Sequence, residues 1–438
     1  MTTETTVTKE PRKNAKASVA VVSNALTRAR AAILKKTGQK PLKGDNKYVA
    51  VSTGSFAIDN LIGGTLAVDG SGPICAGFPR RHITEVYGPE SSGKTTMLLS
   101  AIAQAQKAGG VAMFIDFENA LDHSYAKKLG VKYDDGTLDV YQPDSMEEGL
   151  MMIYIGIAAG VDIVGVDSVA AMVPKAELEK GLDEAAKIGV LAAKMSNVLP
   201  KYALWLRQFP MEGTGETKKT MAGHPGTALV FLNQTRAVIS SGGYGGGGGD
   251  MENTAGGKAL KFYSFLRLRT MRIKSEIVER KDKLTGKTRR FPYGNLTDVK
   301  VVKSKVDAKQ GQSAQMFIRF GFGIDDYISV LETGVVNKLV KKEGAYYAYG
   351  QNRFQGKDKF RQFLIENPKV FEELRKKVWE AVAATAQTAA PEELSEEDQL
   401  LEMASGDLED LGDLEDLETE AQSVIEEVVS GEDEPGAD

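Results

Sequence analysis

Apolar positions along this chain follow two periods in turn. Short, nearly continuous apolar runs at Ile83 to Tyr87, Val111 to Asp116, Leu138 to Tyr141, Val161 to Ser168 and Ala228 to Asn233 have the length and β-branched content of buried strands. Between them lie helical patterns at Ser55 to Leu61, Thr95 to Ala108, Met146 to Ala159 and about Ile188 to Gln208. Strands alternating with helices predict an α/β architecture: a mostly parallel central sheet flanked by helices, with ligands at the edge where the strands end in polar residues. Further on, Leu260 to Ile273, a Lys/Arg-rich hairpin near Arg280 to Arg290, and Asp298 to Lys303 continue the β pattern. From about Gly311 the chain reads as a smaller α/β domain, with Tyr346, Tyr347 and Tyr349 and a helix at Val370 to Ala384. Near the start, Val22, Leu26, Ala29 and Ile33 recur at helical spacing from Ser18 to Lys36, while Arg28, Arg30, Lys35 and Lys36 face elsewhere. This amphipathic basic helix has no core of its own, so it must pack on its own domain or on a neighbouring subunit.

These patterns divide the chain into an N-terminal basic segment (1–46), a central α/β core (47–310), a C-terminal α/β domain (311–390) and a tail (391–438). At 438 residues and 42% hydrophobic, the chain can bury a large core. No apolar run approaches the roughly eighteen residues that span a bilayer, and the N-terminus has no signal-peptide core, so a soluble, cytoplasmic protein is expected. The Thr and Lys content of the N-terminus resembles a transit peptide, but Glu4 and Glu10 argue against one. Cys75 stands alone, so no internal disulfide can form, which suits a reducing compartment. Charge changes the picture more. Of 60 Asp and Glu, about twenty lie between Pro391 and Asp438, where there is no Lys or Arg; the remaining body then sets 55 basic residues against 40 acidic, about +15. A basic body with an acidic tail implies a polyanionic ligand whose access the tail moderates. The tail is low in complexity and reads as disordered, as does Met1 to Lys16. Ser240 to Gly249 is nearly all Gly, interrupted by Tyr244, and reads as a mobile loop.

The strongest chemical signal is Gly88-Pro89-Glu90-Ser91-Ser92-Gly93-Lys94-Thr95, which fits G-x-x-x-x-G-K-[ST] between a strand and a helix. In that context successive backbone N–H groups and the positive helix end converge where nucleotide phosphates sit. Lys94 would reach the β and γ phosphates, and the Thr95 hydroxyl would hold Mg²⁺. Asp167, ending an apolar strand, suits a carboxylate that holds Mg²⁺ through water. Glu118, just beyond the strand ending at Asp116, is placed to orient or deprotonate an attacking water. Each of these acids alone is a weak signal, since strand-end carboxylates are often helix caps.

Five segments in order make the pattern specific. They are Gly88 to Thr96, Phe114-Ile115-Asp116-Phe117-Glu118-Asn119-Ala120-Leu121-Asp122, Val166-Asp167-Ser168-Val169-Ala170-Ala171, Leu232-Asn233-Gln234-Thr235-Arg236, and Gly256-Gly257-Lys258-Ala259-Leu260-Lys261-Phe262-Tyr263. Together, across roughly Val51 to Ala383, the chain resembles a RecA-family recombinase of the bacterial type. The resemblance implies a RecA-type P-loop ATPase core, ATP and Mg²⁺ as cofactors, and DNA-dependent ATP hydrolysis. It implies a homo-oligomeric helical filament on single-stranded DNA, built through the N-terminal segment, that pairs with duplex DNA and exchanges strands in recombinational repair. It further implies that Glu118 is the catalytic carboxylate, that Asp122 and Tyr125 lie along the adenine, that Ser168 follows Asp167 at the nucleotide, and that Gln234 senses the γ-phosphate at the start of a DNA-binding loop. Lys303 and Lys305 match a pair inserted into the neighbouring subunit's ATP site. DNA would face loops near Glu179 to Val190 and Ala237 to Lys258, with Lys194, Lys201, Arg236 and Lys258 and the amides of Gly256 and Gly257 on phosphates, and Tyr244 between bases. Self-cleaving repressors of the SOS response to DNA damage and single-strand-binding protein are the implied protein partners.

The chain also departs from the family pattern. Insertions occupy Thr65 to Gly77 and Pro210 to Gly226, Asn119 replaces a His, Lys194 replaces an Arg, and the Gly run is unusually rich. Two other classes of function share these features: an ATP- and DNA-bound filament acting as a regulatory scaffold, and a ring helicase motor of the same core. Retention of Lys94, Glu118, Asp167 and Gln234 favours the enzyme over the scaffold. The N-terminal helix, and the absence of a second motor or primase-binding domain, argue against the helicase.

Overall fold

The computed structural model describes residues 29–37, 48–63, 75–180, 189–212, 219–220, 223–236, 253–281, 288–306 and 310–388. Tyr244, the acidic tail, most of the loop from Glu179 to Val190 and most of the basic N-terminal segment lie outside them; of that segment, 29–37 is helical.

In chain order the core comprises helix α1 (Phe56–Gly63), strand β1 (Ile83–Gly88), α2 (Lys94–Lys107), β2 (Ala112–Asp116), α3 (His123–Lys128), β3 (Leu138–Tyr141) and α4 (Met146–Ala159). There follow β4 (Ile163–Asp167), α5 (Val190–Gln208), β5 (Ala228–Arg236), α6 (Gly257–Tyr263), β6 (Leu266–Lys281), β7 (Thr288–Ser304) and β8 (Ser313–Arg319). These strands lie in one sheet in the order β8-β7-β6-β1-β5-β4-β2-β3; the short strands Gly323–Ile324, beyond β8, and Asn253–Thr254, beside β5, bring it to ten. From β6 to β3 every pairing is parallel, whereas β6, β7 and β8 pair antiparallel.

The parallel strands read as unbroken apolar runs because both of their faces are covered. Successive residues go to opposite sides: Ala228, Val230 and Leu232 join a core with α1 and α2, while Leu229 and Phe231 join a second core with α4 and α5. Local signals set the helix ends. Ser145 Oγ accepts from Glu148 N at 3.3 Å, Glu148 Oε2 accepts from Asp144 N at 2.9 Å, and Gly160, at φ 78°, closes the other end of α4 in the left-handed conformation.

One expected strand starts later than its pattern predicts. Residues 260–263, read as the beginning of a β run from Leu260 to Ile273, belong to helix α6, and the strand starts only at Leu266. The apolar run misled because Ala259 and Leu260 bury against α5 on one side only, leaving Phe262 69% exposed. Beyond the expected boundary at residue 310, β8 pairs with β7 in the central sheet.

After β8 come α7 (Asp326–Val336), a three-stranded antiparallel sheet of β9 (Lys341–Glu343), β10 (Tyr346–Tyr349) and β11 (Asn352–Gln355), then α8 (Lys357–Glu366) and α9 (Pro368–Thr388). They share a third core that includes Val330, Leu331, Phe360, Leu364 and Leu374, with Phe56 of α1 inserted into it. Asp326 Oδ1 accepts from Phe56 N at 2.5 Å, so α1 is held by both the sheet and α7. Asp59 of α1 is buried, accepting from Thr53 N (2.8 Å), Thr53 Oγ1 (2.7 Å) and Ser52 Oγ (2.5 Å).

Candidate nucleotide site and DNA-facing surface

The cradle forms where β1 ends and α2 begins. Gly93 sits at φ 93°, a left-handed conformation that favours glycine, with Ile318 Cδ1 packed against it. The antiparallel strands brace the turn from outside: Ser92 Oγ meets Thr270 Oγ1 of β6 at 2.7 Å, and Thr297 Oγ1 of β7 donates to Ser92 O at 3.2 Å. Lys94 Nζ folds back on the turn itself, donating to Gly88 O (3.1 Å) and Pro89 O (2.8 Å). Burial pushes its ammonium below the usual lysine range, opposed by Asp167, Glu118 and Glu90. A half-desolvated lysine held only by carbonyls is poised for an anion.

The acids converge from β2 and β4. Thr95 Oγ1 donates to Asp167 Oδ2 at 2.7 Å. Burial pushes the Asp167 carboxyl up to about 6; the Thr95 bond opposes this, and Glu118 and Asp116 add to it. The chain after β2 is tied to β4 through Phe117 N, which donates to Asp167 O at 2.7 Å, and Asn119 turns at φ 52°, a conformation Asn tolerates. Glu118 Oε1 thereby accepts from Ser168 Oγ (2.5 Å) and from Gln234 Nε2 of β5 (3.0 Å). Asp122 caps α3 by accepting from Tyr125 N at 2.9 Å, and Tyr125 OH meets Thr96 Oγ1 at 2.9 Å. Asp122 thus fixes the start of the helix that carries Tyr125.

A cavity of about 550 Å³ opens over Lys94, Thr95, Thr96 and Tyr125, a size that suits a nucleotide. Its far wall is formed by residues the sequence reading missed: Arg272, Asn295, Ile318, Phe320 and Gly321, all from the antiparallel half. The available signal was Phe320-Gly321-Phe322-Gly323, where aromatics 47% and 69% exposed alternate with glycines. The hard oxygen donors of Thr95 and Asp167, already in contact, fit Mg²⁺ shared with phosphates, and Lys94 with the turn's N–H groups fits the phosphates.

The remaining expected residues lie elsewhere. Lys303 Nζ donates to Lys261 O and Phe262 O at 2.8 Å each, on the last carbonyls of α6. Burial, with Lys305 and Arg267 nearby, lowers the affinity of Lys303 for its proton. Lys305 is exposed. Register sets both lysines beside the start of β1: Ser304 pairs with Leu266, and Leu266 with Thr84. They are thus about 15–20 Å from the turn at the other end of that strand. Among the residues expected at DNA, Gly256 and Gly257 make a left-handed turn at φ 86° and 73° beside Lys258, which is exposed. Lys194 is paired with Glu147 at 3.1 Å, and Lys201 is exposed on the same helix. Arg236 ends β5, opposite Asn253.

Comparison with known proteins gives a consistent result. A family model described as the RecA N-terminal domain matches residues 24–325, and one described as the RecA C-terminal domain matches 328–383. The chain is 42% identical over 336 residues to Protein RecA of Laribacter hongkongensis, covering 76% of this chain and 82% of that protein. It is 40% identical over 352 residues to Protein RecA of Kineococcus radiotolerans, covering 80% and 88%. With Protein RecA of Corynebacterium diphtheriae the identity is 40% over 382 residues, covering 85% and 90%.

Proposed function

The chain belongs to the bacterial-type RecA family, and from that premise we propose how its residues carry out DNA-dependent ATP hydrolysis and strand exchange in recombinational DNA repair. Lys94 leaves the carbonyls of Gly88 and Pro89 for the nucleotide phosphates, with the N–H groups of Glu90 to Thr96 around them. Thr95 and Asp167 would hold Mg²⁺, which would supply charge neutralisation at the phosphates. Glu118, held by Ser168, orients the attacking water. Tyr125, on the helix capped by Asp122, and Phe320 flank the base.

The single observation that carries this reading is the 3.0 Å contact between Gln234 Nε2 and Glu118 Oε1. It joins the carboxylate that handles water to the residue opening the segment Ala237 to Lys258, so a γ-phosphate that attracts Gln234 frees Glu118 for its water. Lys303 and Lys305 act in trans, because β1 separates them from their own cradle; this makes the filament the active form. Single-stranded DNA is held by its backbone on Lys194, Lys201, Arg236, Lys258 and the Gly256 and Gly257 amides, with Tyr244 between bases, leaving base edges free to test a duplex. Self-cleaving repressors and single-strand-binding protein are the expected protein partners, and the cytoplasm the expected location; among the described residues no helix is long and apolar enough to cross a membrane.

Electron microscopy of the protein with single-stranded DNA and a slowly hydrolysed ATP analogue, run beside ATPase and unwinding assays, tests the proposal. Helical filaments and DNA-stimulated hydrolysis without unwinding are expected. Closed rings that unwind duplexes would overturn it in favour of a helicase motor.

A further inference from the structure

A largely buried hydrogen-bond network lies behind the nucleotide site. Asn233, in β5, is 0% exposed; its Nδ2 donates to Glu85 Oε1 at 3.0 Å and to Ala255 O at 2.9 Å, and its Oδ1 accepts from Gln234 N at 2.9 Å. Both N–H groups and the oxygen are engaged, and the amide can point only one way, because a flip would set its oxygen against the Glu85 carboxylate. Glu85, in β1 and also 0% exposed, accepts from Arg267 Nε of β6 at 2.6 Å, and that guanidinium lies 4.6 Å from the centre of the Tyr87 ring. An acidic side chain this deeply buried needs such partners.

We propose that Asn233 and Glu85 are positioning residues that clasp the sensor Gln234 to the turn at Ala255 to Gly257. A nucleotide-dependent shift of Gln234 is then passed through one side-chain amide to the DNA-facing glycines. The inference rests on the reading of Gln234 as the γ-phosphate sensor. Gln234 and Ala255 flank the stem in which Thr235 pairs with Thr254 and Arg236 with Asn253, so the amide joins both strands of that stem at its base. The turn that follows has little slack: a Cβ on Gly256 would lie 3.0 Å from Val169 Cγ1, and one on Gly257 would lie 2.7 Å from Ala192 Cβ. Movement of Ala255 is therefore transmitted to Lys258 and α6 rather than absorbed.

The test relocates the carboxylate. In the double variant Asn233→Asp/Glu85→Gln, net charge is unchanged, the side chain at 85 donates to the one at 233 and still accepts from Arg267, but Ala255 O has lost its donor. We expect a melting temperature near the parent's and DNA-independent ATP hydrolysis within about twofold of it, with stimulation by single-stranded DNA reduced at least about tenfold. A purely structural role predicts that restored folding restores stimulation; parental stimulation in the folded double variant would overturn the clasp. Should that variant not fold, hydrogen exchange on the parent decides. The slowly hydrolysed ATP analogue, without DNA, should protect peptides containing Gln234 and peptides containing Ala255 to Gly257 together; protection of the first alone refutes the coupling. A parent with no DNA stimulation at all would instead overturn the functional reading beneath it.

Discussion

The two halves of the central sheet contribute to one site by different means. In the parallel half, the proposed site lies at the C-terminal ends of β1, β2, β4 and β5, each assigned residue within a few positions of its strand, so Lys94, Glu118, Asp167 and Gln234 meet because neighbouring parallel strands end side by side. In the antiparallel half, β6 to β8 bring no acid to the cradle. They brace Ser92, wall the cavity with Ile318 and Phe320, and carry Lys303 and Lys305 to the opposite end of the sheet. In the proposed mechanism the parallel half supplies the phosphate cradle and the acids, and the antiparallel half supplies the brace, the cavity wall and the two distant lysines.

The comparison predicts a graded response. Lys94→Ala should abolish ATP turnover, while Glu118→Gln should slow hydrolysis about 10²-fold or more with ATP affinity within a few-fold of the parent, since the carboxylate acts on water. Single-turnover hydrolysis beside equilibrium binding checks this; a Glu118→Gln protein that turns over at the parental rate contradicts the assignment.

Next in size, Lys303→Ala or Lys305→Ala should lower DNA-stimulated hydrolysis about 10- to 100-fold while monomers keep their nucleotide affinity. Mixing either variant with Lys94→Ala should recover part of the activity, because some interfaces then join an intact cradle to intact lysines. No recovery at any ratio would move these lysines out of the trans role and blur the division between the halves.

A smaller effect falls on stability alone. Burial, outweighing hydrogen bonds from Ser52 and Thr53 and with Asp326 adding to it, pushes Asp59 up to about 7. Because its folded pKa lies above its unfolded one, ionising Asp59 destabilises the fold: its contribution is fully present below about pH 4 and is lost as pH rises through 7. At about 1.4 kcal/mol per pH unit this amounts to a few kcal/mol. Asp59→Asn should melt close to the parent at pH 4 and several degrees above it at pH 8, with hydrolysis unchanged. Parallel melting curves at both pH values would rule out the buried charge as the cause.

The smallest effect concerns the cavity wall. Phe320→Ala removes an aromatic face that is 47% exposed before nucleotide binds. It should weaken ATP binding by a few-fold, about 1 kcal/mol, with kcat nearly constant. A fall in kcat at unchanged KM would mean that the antiparallel half takes part in the chemistry after all.

What the sequence alone determined is the part written locally. The P-loop spacing dictates a turn of inward N–H groups; the buried runs dictate a parallel sheet; and Ser145 and Gly160 set the ends of α4 at the residues where the pattern placed them. Asp167 and Glu118 were legible as strand-end acids, but their convergence on Thr95 and Gln234 depends on β2, β4 and β5 being adjacent. Only the tertiary structure decided the rest. Residues 257–263 became a helix because one face found α5, an outcome no apolar run encodes. Ile318 and Phe320 came to the cavity, and Lys303 to the far end of β1, through strand register. The Asn233 clasp depends on a carboxylate brought from β1 and an arginine from β6. Periodicity reports which face of a segment is apolar; which segment covers that face, and so which distant side chain meets it, is settled by packing across the sheet.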